Sequence, residues 1–177
     1  MNRFVIFDRD GTLIKHVHHL SDPSLVEFQP GLIECLQILK KSHFKFGIIT
    51  NQSVIGRGIA TTEIVSEINL KIINYIKRYD LDFSFILMCP HLPSEACNCR
   101  KPRIGLGIKA IEEYSLDPSN TFMVGDQISD IQFGKRLEFN TIILSESETE
   151  TTRSDYTCSS LIDAARWIVT RVRSPLE

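Results

Sequence analysis

The sequence lacks the features that would assign it to several common classes of protein. None of its apolar runs approaches the roughly 20 residues that cross a bilayer. Its first residues enter a strand pattern directly, without a cleavable signal. No basic stripe follows any predicted helix, and the formal net charge of the 177 residues is only -2. We therefore expect a cytoplasmic protein that binds neither membranes nor nucleic acid.

Domain boundaries and a disulfide framework are missing as well. There is no internal repeat, low-complexity tract or linker, so we expect one domain over residues 1–177. The cysteines number five, which is odd, and most of them lie between residues 89 and 99. In a reducing compartment this clustering indicates a metal site rather than disulfides.

Short apolar segments alternate with longer amphipathic ones. The pattern predicts strands at 4–7, 45–49, 83–88, 121–124 and 141–144. It predicts helices opened by Pro30-Gly31, capped by Thr61, and over 104–114, 128–137 and 160–171, with loops at 8–29, 54–58 and 145–155. This order favours an α/β fold with a Rossmann-like, doubly wound, mainly parallel sheet. Ligands of such sheets bind beyond the carboxyl ends of the strands.

An acidic pair follows the first predicted strand, in the segment Asp8-Arg9-Asp10-Gly11. Two carboxylates one residue apart repel each other, and a fold keeps such a pair when a cation binds there, usually a metal ion. The glycine allows a close approach of the main chain to a ligand. A carboxylate can also accept a phosphoryl group covalently. An ordinary acidic turn is the alternative interpretation of these residues alone.

Polar residues also follow the other predicted strands. The full set is Asp8 and Asp10, then Thr50-Asn51-Gln52-Ser53, then Arg100-Lys101-Pro102, then Gly125-Asp126 with Asp130 beyond it. Carboxylates hold a divalent cation, and hydroxyl and ammonium groups hold phosphate oxygens, so this inventory fits phosphoryl transfer. Each segment alone has an ordinary explanation as a turn, a strand end or a solvated charge. Their joint placement at one edge of the sheet favours a site.

A second metal site is predicted between the third strand and the basic pair. Cys89, His91, Cys97 and Cys99 offer three thiolates and one imidazole, a closed tetrahedral set that suits structural Zn²⁺. The alternative is a set of buried cysteines with one disulfide. Because the loop ends directly at Arg100-Lys101, we expect the zinc to fix the main chain that aims both side chains. The remaining thiols, Cys35 and Cys158, are expected to be unligated.

The strand-end segments, in this order, resemble the motifs of the haloacid dehalogenase superfamily of phosphatases over nearly the whole chain. The resemblance implies that Asp8 is a nucleophile that forms an aspartyl-phosphate. It implies that Asp10 protonates the leaving oxygen and then takes a proton from water. Mg²⁺ would be bound by Asp8, the main-chain carbonyl of Asp10 and Asp126. Thr50 and Lys101 would hold the transferring phosphoryl oxygens.

Within the superfamily, the cysteine-rich loop is similar to two groups. One is the D-glycero-D-manno-heptose 1,7-bisphosphate phosphatases, and the other is the histidinol-phosphate phosphatases. The segment His91-Leu92-Pro93 looks more like the corresponding segment of the second group. The short connection from Asp10 to Gly31, and the segments 50–53 and 55–58, look more like the first. No large cap domain is expected, because only the loops 14–29, 54–60 and 89–99 have room to cover the site.

Departures from the heptose-enzyme pattern leave the substrate less defined. Val54 and Gly56 replace the usual glycine and alanine, and Gln127 stands where lysine often follows the aspartate. His16-Val17-His18-His19 stands where Asp-His-Gly-Tyr is usual. We interpret this segment as shaping the mouth of the pocket, with surface histidines or a second metal site as alternatives. Asp130 is expected to support the metal loop rather than to ligate the ion.

These resemblances imply a phosphorylated sugar as substrate. The first choice is heptose 1,7-bisphosphate, cleaved to heptose 1-phosphate, and histidinol phosphate is the alternative. The candidate substrate-binding residues are Asn51, Gln52, Ser53, Arg57, Arg100, His16 and His19. The two arginines could take a distal phosphate, although Arg57 could also be an exposed loop charge. A monomer is expected, and a catalytically silent zinc-stabilised binding module is the alternative of a different class.

Overall fold

A computed structural model of the chain describes residues 2–145 and 153–172. Within them, all strands are parallel and belong to one sheet of order β3-β2-β1-β4-β5-β6. The strands are β1 (Arg3–Phe7), β2 (Phe44–Asn51), β3 (Phe85–Cys89), β4 (Thr121–Gly125), β5 (Asn140–Leu144) and β6 (Tyr156–Cys158). The helices are α1 (Leu32–Lys41), α2 (Ser53–Gly56), α3 (Thr62–Lys77), α4 (Gly105–Tyr114), α5 (Ile128–Arg136) and α6 (Leu161–Val172). The predicted doubly wound α/β fold is confirmed.

Three local predictions are corrected. Residues 53–56 form the single-turn helix α2, so the loop expected at 54–58 is wrong in its first half. Helix α1 begins only at Leu32, because Gly31 adopts a left-handed conformation with φ 75°. Strand β6 was not predicted, and of the loop expected at 145–155 the part 146–152 lies outside the described residues.

Two apolar layers cover the sheet. Helices α1, α3 and α6 pack on one face, where Leu36, Ile72 and Ala165 are buried against β1 and β2 side chains such as Phe7. Helices α4 and α5 cover the other face through a smaller cluster. Thr61 caps α3 as predicted, since its Oγ1 accepts a hydrogen bond from Ile64 N at 3.3 Å. Among the described residues, no helix combines the length and apolarity that a membrane crossing requires.

The strand order reverses between β1 and β4, and this reversal positions the site. Phe7 pairs with Val124, and Asp8 N donates to Val124 O at 2.9 Å just beyond that pair. The carboxyl ends of the two strands therefore open side by side, at the switch point where doubly wound folds bind ligands.

Candidate active site

Three carboxylates meet at this switch point. One oxygen each of Asp8, Asp126 and Asp130 lies within 4.8 Å of the others. Burial, and then the charge of Asp8, raise the pKa of Asp126 above its ordinary value. Carboxylate oxygens crowded in this way are the ligand type that Mg²⁺ prefers, so the donor set fits the ion that the sequence predicts.

The turn after β1 brings its main chain against Asp126. Gly11 has φ +89°, and a Cβ at this position would lie only 2.3 Å from Asp126 Oδ2. Gln127 Nε2 donates to the same oxygen at 2.7 Å. The glycine of the acidic motif is therefore required both for its left-handed conformation and for close packing on the carboxylate.

Lys101 reaches this cluster from the loop after β3. Its ammonium group lies 2.7 Å from Asp8 Oδ1 and 2.7 Å from Asp130 Oδ1, and it donates to Ile49 O at 2.6 Å. Burial lowers the pKa of Lys101, but Asp130 and Asp8 outweigh burial and raise it, so the side chain is a cation. The predicted nucleophile and the predicted phosphate-binding lysine are thus in direct contact.

Asp130 is engaged by both of its oxygens. Oδ1 binds Lys101, and Oδ2 accepts a hydrogen bond from Gln127 N at 3.1 Å as part of a capping box at the start of α5. The side chain is fully buried. These contacts join Asp130 to Lys101 and to the start of α5.

Asn51, predicted as a substrate-binding residue, contacts the main chain of Lys101. Its Oδ1 accepts from Lys101 N at 3.0 Å, and its Nδ2 donates to Lys101 O at 3.1 Å. Gln52 is buried and its Nε2 donates to Asp10 Oδ2 at 2.7 Å and to Thr50 Oγ1 at 2.8 Å. Both amides are therefore bonded within the protein, next to the predicted catalytic groups.

Arg9 is a buried site residue that the sequence interpretation passed over. Its guanidinium group forms an ion pair with Asp10 Oδ2 at 2.9 Å and hydrogen bonds with Asn69 and Gln52. The side chain is 0% exposed. An arginine between two aspartates directly after a buried strand is the sequence signal that could have identified it.

A cavity of about 460 Å³ opens over these groups. It is lined by Asp8, Asp10, His16, Thr50, Asn51, Arg100, Lys101, Gln127, Ser129 and Asp130. Arg100 lines this cavity, and its Nη1 is buried with no hydrogen-bond partner among the described residues. Because a buried donor without a partner is costly, this nitrogen is suited to an anionic ligand in the cavity.

The histidine segment lies at the mouth of the site. His16, His18, His19 and Ser53 line a smaller adjoining cavity of about 170 Å³, together with Asp10. The rings of His18 and His19 lie 3.9 Å apart between centroids. Partial desolvation, then the charges of His18 and exposed Arg57, lower the pKa of His19.

The predicted zinc ligands come together at the end of β3. One donor atom each of Cys89, His91, Cys97 and Cys99 lies within 4.8 Å of the others. Cys89 Sγ is 3.7 Å from Cys97 Sγ and 3.6 Å from His91 Nδ1. A tetrahedral zinc with bonds of about 2.3 Å to sulfur and 2.0–2.1 Å to nitrogen separates its donors by roughly 3.5–3.8 Å. The two separations above agree with this range, whereas Cys99 Sγ lies closer, at 3.1 Å from both Cys89 Sγ and His91 Nδ1. The donor types and their grouping suit a structural zinc.

Main-chain hydrogen bonds connect this cluster to the end of β2. Gln52 N donates to Cys89 O at 2.7 Å, and Gly56 N donates to Pro90 O at 2.9 Å. Asn51 adds its contacts with Lys101 at the other end of the loop. The cysteine-rich loop is thus fixed at both ends to the strand that carries Thr50.

Comparisons with known proteins agree with this geometry. Residues 14–144 match the model of the haloacid dehalogenase-like hydrolase family. The chain is 37% identical over 141 residues to the histidine biosynthesis bifunctional protein HisB of Blochmanniella floridana, covering 77% of this chain but only 40% of that relative. It is 30% identical over 178 residues to a D-glycero-beta-D-manno-heptose-1,7-bisphosphate 7-phosphatase of Haemophilus influenzae, covering 94% of this chain and 96% of the relative.

A solved structure has the same fold. The D,D-heptose 1,7-bisphosphate phosphatase from B. bronchiseptica, complexed with magnesium and phosphate, superposes with a TM-score of 0.84 at 24% identity, covering 96% of this chain and 99% of that one. The predicted superfamily resemblance is confirmed by the family match over most of the sheet and its helices. The chain belongs to the haloacid dehalogenase-like hydrolases.

Proposed function

We propose that this hydrolase is a Mg²⁺-dependent phosphatase that converts D-glycero-D-manno-heptose 1,7-bisphosphate into heptose 1-phosphate and inorganic phosphate. The observation that carries the proposal is the contact between Asp8 and Lys101 in a cavity that Arg100 also lines, with an Nη1 that has no partner among the described residues. A relative of nearly the same length has this activity in its name.

The covalent step is assigned to Asp8. Lys101 holds Oδ1 of this carboxylate at 2.7 Å, which leaves Oδ2 to attack phosphorus. As the new oxygen–phosphorus bond forms, the bond from phosphorus to the sugar oxygen breaks, and Asp10 gives its proton to that oxygen. Asp10 then takes a proton from the water that attacks the aspartyl-phosphate, which releases phosphate and restores Asp8.

The negative charge of the transferring group needs cations around it. Mg²⁺ held by Asp8, Asp126 and the main-chain carbonyl of Asp10 would neutralise phosphoryl oxygens when bound. Lys101 supplies a fixed positive charge on the protein side, and Thr50 Oγ1 supplies a hydroxyl at the same wall. Because both side chains are held before substrate arrives, they stabilise the transition state without reorganisation.

The second phosphate of the substrate is assigned to the arginines. Arg100 lines the cavity beside Lys101, and its buried Nη1 lacks a protein partner among the described residues. Guanidinium groups bind phosphate through paired hydrogen bonds. We assign a further contact to exposed Arg57, whose charge acts on His19, and the shaping of the opening to His16, His19 and Ser53.

We assign Zn²⁺ to the site of Cys89, His91, Cys97 and Cys99, where it would cross-link the loop and leave no open position for catalysis. The thiols of this site require reducing conditions, which supports a cytoplasmic location. Since one chain supplies every group of the site, we also propose that the enzyme acts as a monomer. Light scattering of the purified protein tests this state.

Histidinol phosphate is the second candidate substrate. The observation that favours it is the 37% identity to the HisB protein, although the chain covers only 40% of that bifunctional relative. The cavity geometry fits a phosphate monoester of either kind at Asp8. Nη1 of Arg100 lacks a partner among the described residues and favours the bisphosphate, since histidinol phosphate has no second phosphate to bind this arginine.

A turnover comparison tests the proposal. Purified enzyme with Mg²⁺ is assayed for phosphate release from heptose 1,7-bisphosphate, histidinol phosphate and p-nitrophenyl phosphate, beside Asp8→Asn. We expect the highest kcat/KM for the bisphosphate and no turnover by the variant. A higher kcat/KM for histidinol phosphate would reverse the substrate assignment. Equal, negligible rates for both proteins would point to a non-catalytic binding module.

A further inference from the structure

We propose that Arg9 and Asn69 form a positioning pair that fixes the carboxylate of Asp10 and selects the oxygen through which it transfers its proton. The inference rests on the proposed role of Asp10 as general acid. Arg9 lines the smaller adjoining cavity beside Asp10, and neither Arg9 nor Asn69 lines the cavity over Asp8.

Arg9 holds Asp10 by a fork of hydrogen bonds. Its Nε donates to Asp10 Oδ2 at 3.0 Å, and its Nη2 donates to Asp10 Oδ1 at 3.2 Å. Gln52 Nε2 donates to Asp10 Oδ2 at 2.7 Å. A guanidinium fork is rigid and fixes the plane of the carboxylate that it binds. The orientation of Asp10 is therefore set by its neighbours before substrate enters.

The two oxygens of Asp10 are left in different states. Oδ2 is approached by Arg9 Nε, Arg9 Nη2 and Gln52 Nε2 at 3.0, 2.9 and 2.7 Å. Among the residues that the structure describes, Oδ1 has one contact, the longer one of 3.2 Å from Arg9 Nη2. Because a carboxylate oxygen has two lone pairs, Oδ2 is saturated and Oδ1 keeps capacity for a proton. We assign the proton transfer to Oδ1.

Asn69 holds Arg9 in turn. Its Oδ1 accepts from Arg9 Nη1 at 3.0 Å, and it lies on α3 at 8% exposure among the buried isoleucines of that helix. It does not line the cavity over Asp8. Arg9 is 0% exposed, so its guanidinium group depends on partners within the protein. Asn69 thus acts on the reaction only through Arg9.

The dependence of rate on the leaving group separates positioning from mere stability. A general acid matters most when the leaving oxygen is strongly basic, and little when it is a good leaving group. Loss of folded enzyme would lower all rates by one factor. The assay therefore measures kcat/KM for a series of substituted phenyl phosphates, which does not require the natural sugar.

We expect Asn69→Ala to lose about tenfold in kcat/KM for phenyl phosphate, part of the roughly 10²–10⁴-fold that general acids contribute. We expect it to lose less than about twofold for p-nitrophenyl phosphate. Asn69→Asp keeps the Oδ1 acceptor for Arg9 and should restore the wild-type dependence. Ile72→Val, a buried change on the same helix, controls for destabilisation.

If Asn69→Ala lowers kcat/KM by the same factor for every phenyl phosphate, the positioning role is wrong. It is also wrong if Ile72→Val steepens the dependence of kcat/KM on the leaving group as much as Asn69→Ala does. Arg9→Lys provides a second variant, because it keeps the positive charge but loses the guanidinium fork. We expect it also to steepen the dependence of kcat/KM on the leaving group. If the wild-type enzyme turns over phenyl phosphates and both variants keep its dependence of kcat/KM on the leaving group, only this inference is contradicted. Absence of any turnover by wild type contradicts the proposed function itself.

Discussion

Asn51 and Lys101 are joined by a reciprocal pair of hydrogen bonds: Asn51 Oδ1 accepts from Lys101 N at 3.0 Å, and Asn51 Nδ2 donates to Lys101 O at 3.1 Å. One amide therefore sets the main-chain position of the residue whose ammonium group contacts Asp8. The strand that carries Thr50 and the loop that carries Lys101 are aligned by this contact. A small displacement here moves the cation away from the nucleophile.

Replacing Asn51 should lower turnover through Lys101. We expect Asn51→Ala to reduce kcat by about tenfold or more, because misplacing a catalytic group by about 1 Å can cost roughly 10²-fold. Asn51→Asp keeps the acceptor for Lys101 N and should lose less. Steady-state kinetics with p-nitrophenyl phosphate measures both. An unchanged kcat with a raised KM would instead indicate the direct substrate contact predicted from sequence.

Removing the charge of Lys101 should be more severe. Lys101→Met leaves Asp8 and Asp130 without their shared cation, and we expect kcat to fall about 10²–10³-fold, as for loss of one transition-state donor. Lys109→Met, at an exposed lysine 3.8 Å from Glu113, is the control for loss of a positive charge and should keep full activity. A loss below about threefold in Lys101→Met would exclude a role in holding the phosphoryl group.

The two aspartates of the motif should differ in their effect on stability. Asp10→Asn leaves the fully buried Arg9 with no carboxylate partner among the described residues. We expect a free energy of unfolding lower by about 2 kcal/mol or more, below the roughly 3–5 kcal/mol of a fully buried pair. We expect a smaller loss than for a fully buried pair because the Asp10 side chain is 19% exposed.

Asp8→Asn should cost less, because Lys101 keeps Asp130 at 2.7 Å and the carboxylate cluster loses one negative charge. Urea unfolding of both variants at pH 7 without added Mg²⁺ makes the comparison. Greater destabilisation by Asp8→Asn would contradict the assignment of Arg9 to Asp10.

Gly11 should be needed for Mg²⁺ binding and not only for its backbone conformation. Gly11→Ala places a Cβ 2.3 Å from Asp126 Oδ2, so the carboxylate must move. We expect the Mg²⁺ concentration for half-maximal activity to rise at least about tenfold, as for disturbed metal ligands. Gly58→Ala is the matched control, because Gly58 has φ +68° but nothing within 4 Å of an added Cβ. Equal Mg²⁺ requirements in the two variants would refute the packing argument.

Loss of the zinc site should damage activity through the order of the loop. Cys97→Ser removes one donor, and we expect less bound zinc and a lower kcat, because the loop orients Arg100 and Lys101. Cys158→Ser is the control, since its thiol donates to Ser160 O and lies outside the cluster. Elemental analysis and turnover are measured on both. Unchanged turnover after complete zinc removal would reject the proposed coupling.

Most of the sheet was predictable, because β1, β2, β4 and β5 coincide with short apolar runs that alternate with amphipathic helices, a pattern typical of a buried parallel sheet. Strand β6 was not, since Tyr156–Cys158 is short and is defined by its pairing with β5. Helix α2 was missed for a related reason. Its four residues are too few to show the periodicity of a helix. Gly56 N donates a hydrogen bond to Pro90 O, in the loop after β3.

The sequence by itself determined which groups share one edge of the sheet. Parallel strands end at a common edge, so Asp8, Thr50, Lys101 and Asp126 converge once the strands are identified. Only the tertiary structure decided how each group is held. The burial of Arg9 against Asp10, Gln52 and Asn69, and the hold of Asn51 on Lys101, depend on side chains from separate strands, loops and helices. Such contacts have no local spacing rule, because packing between distant segments selects them.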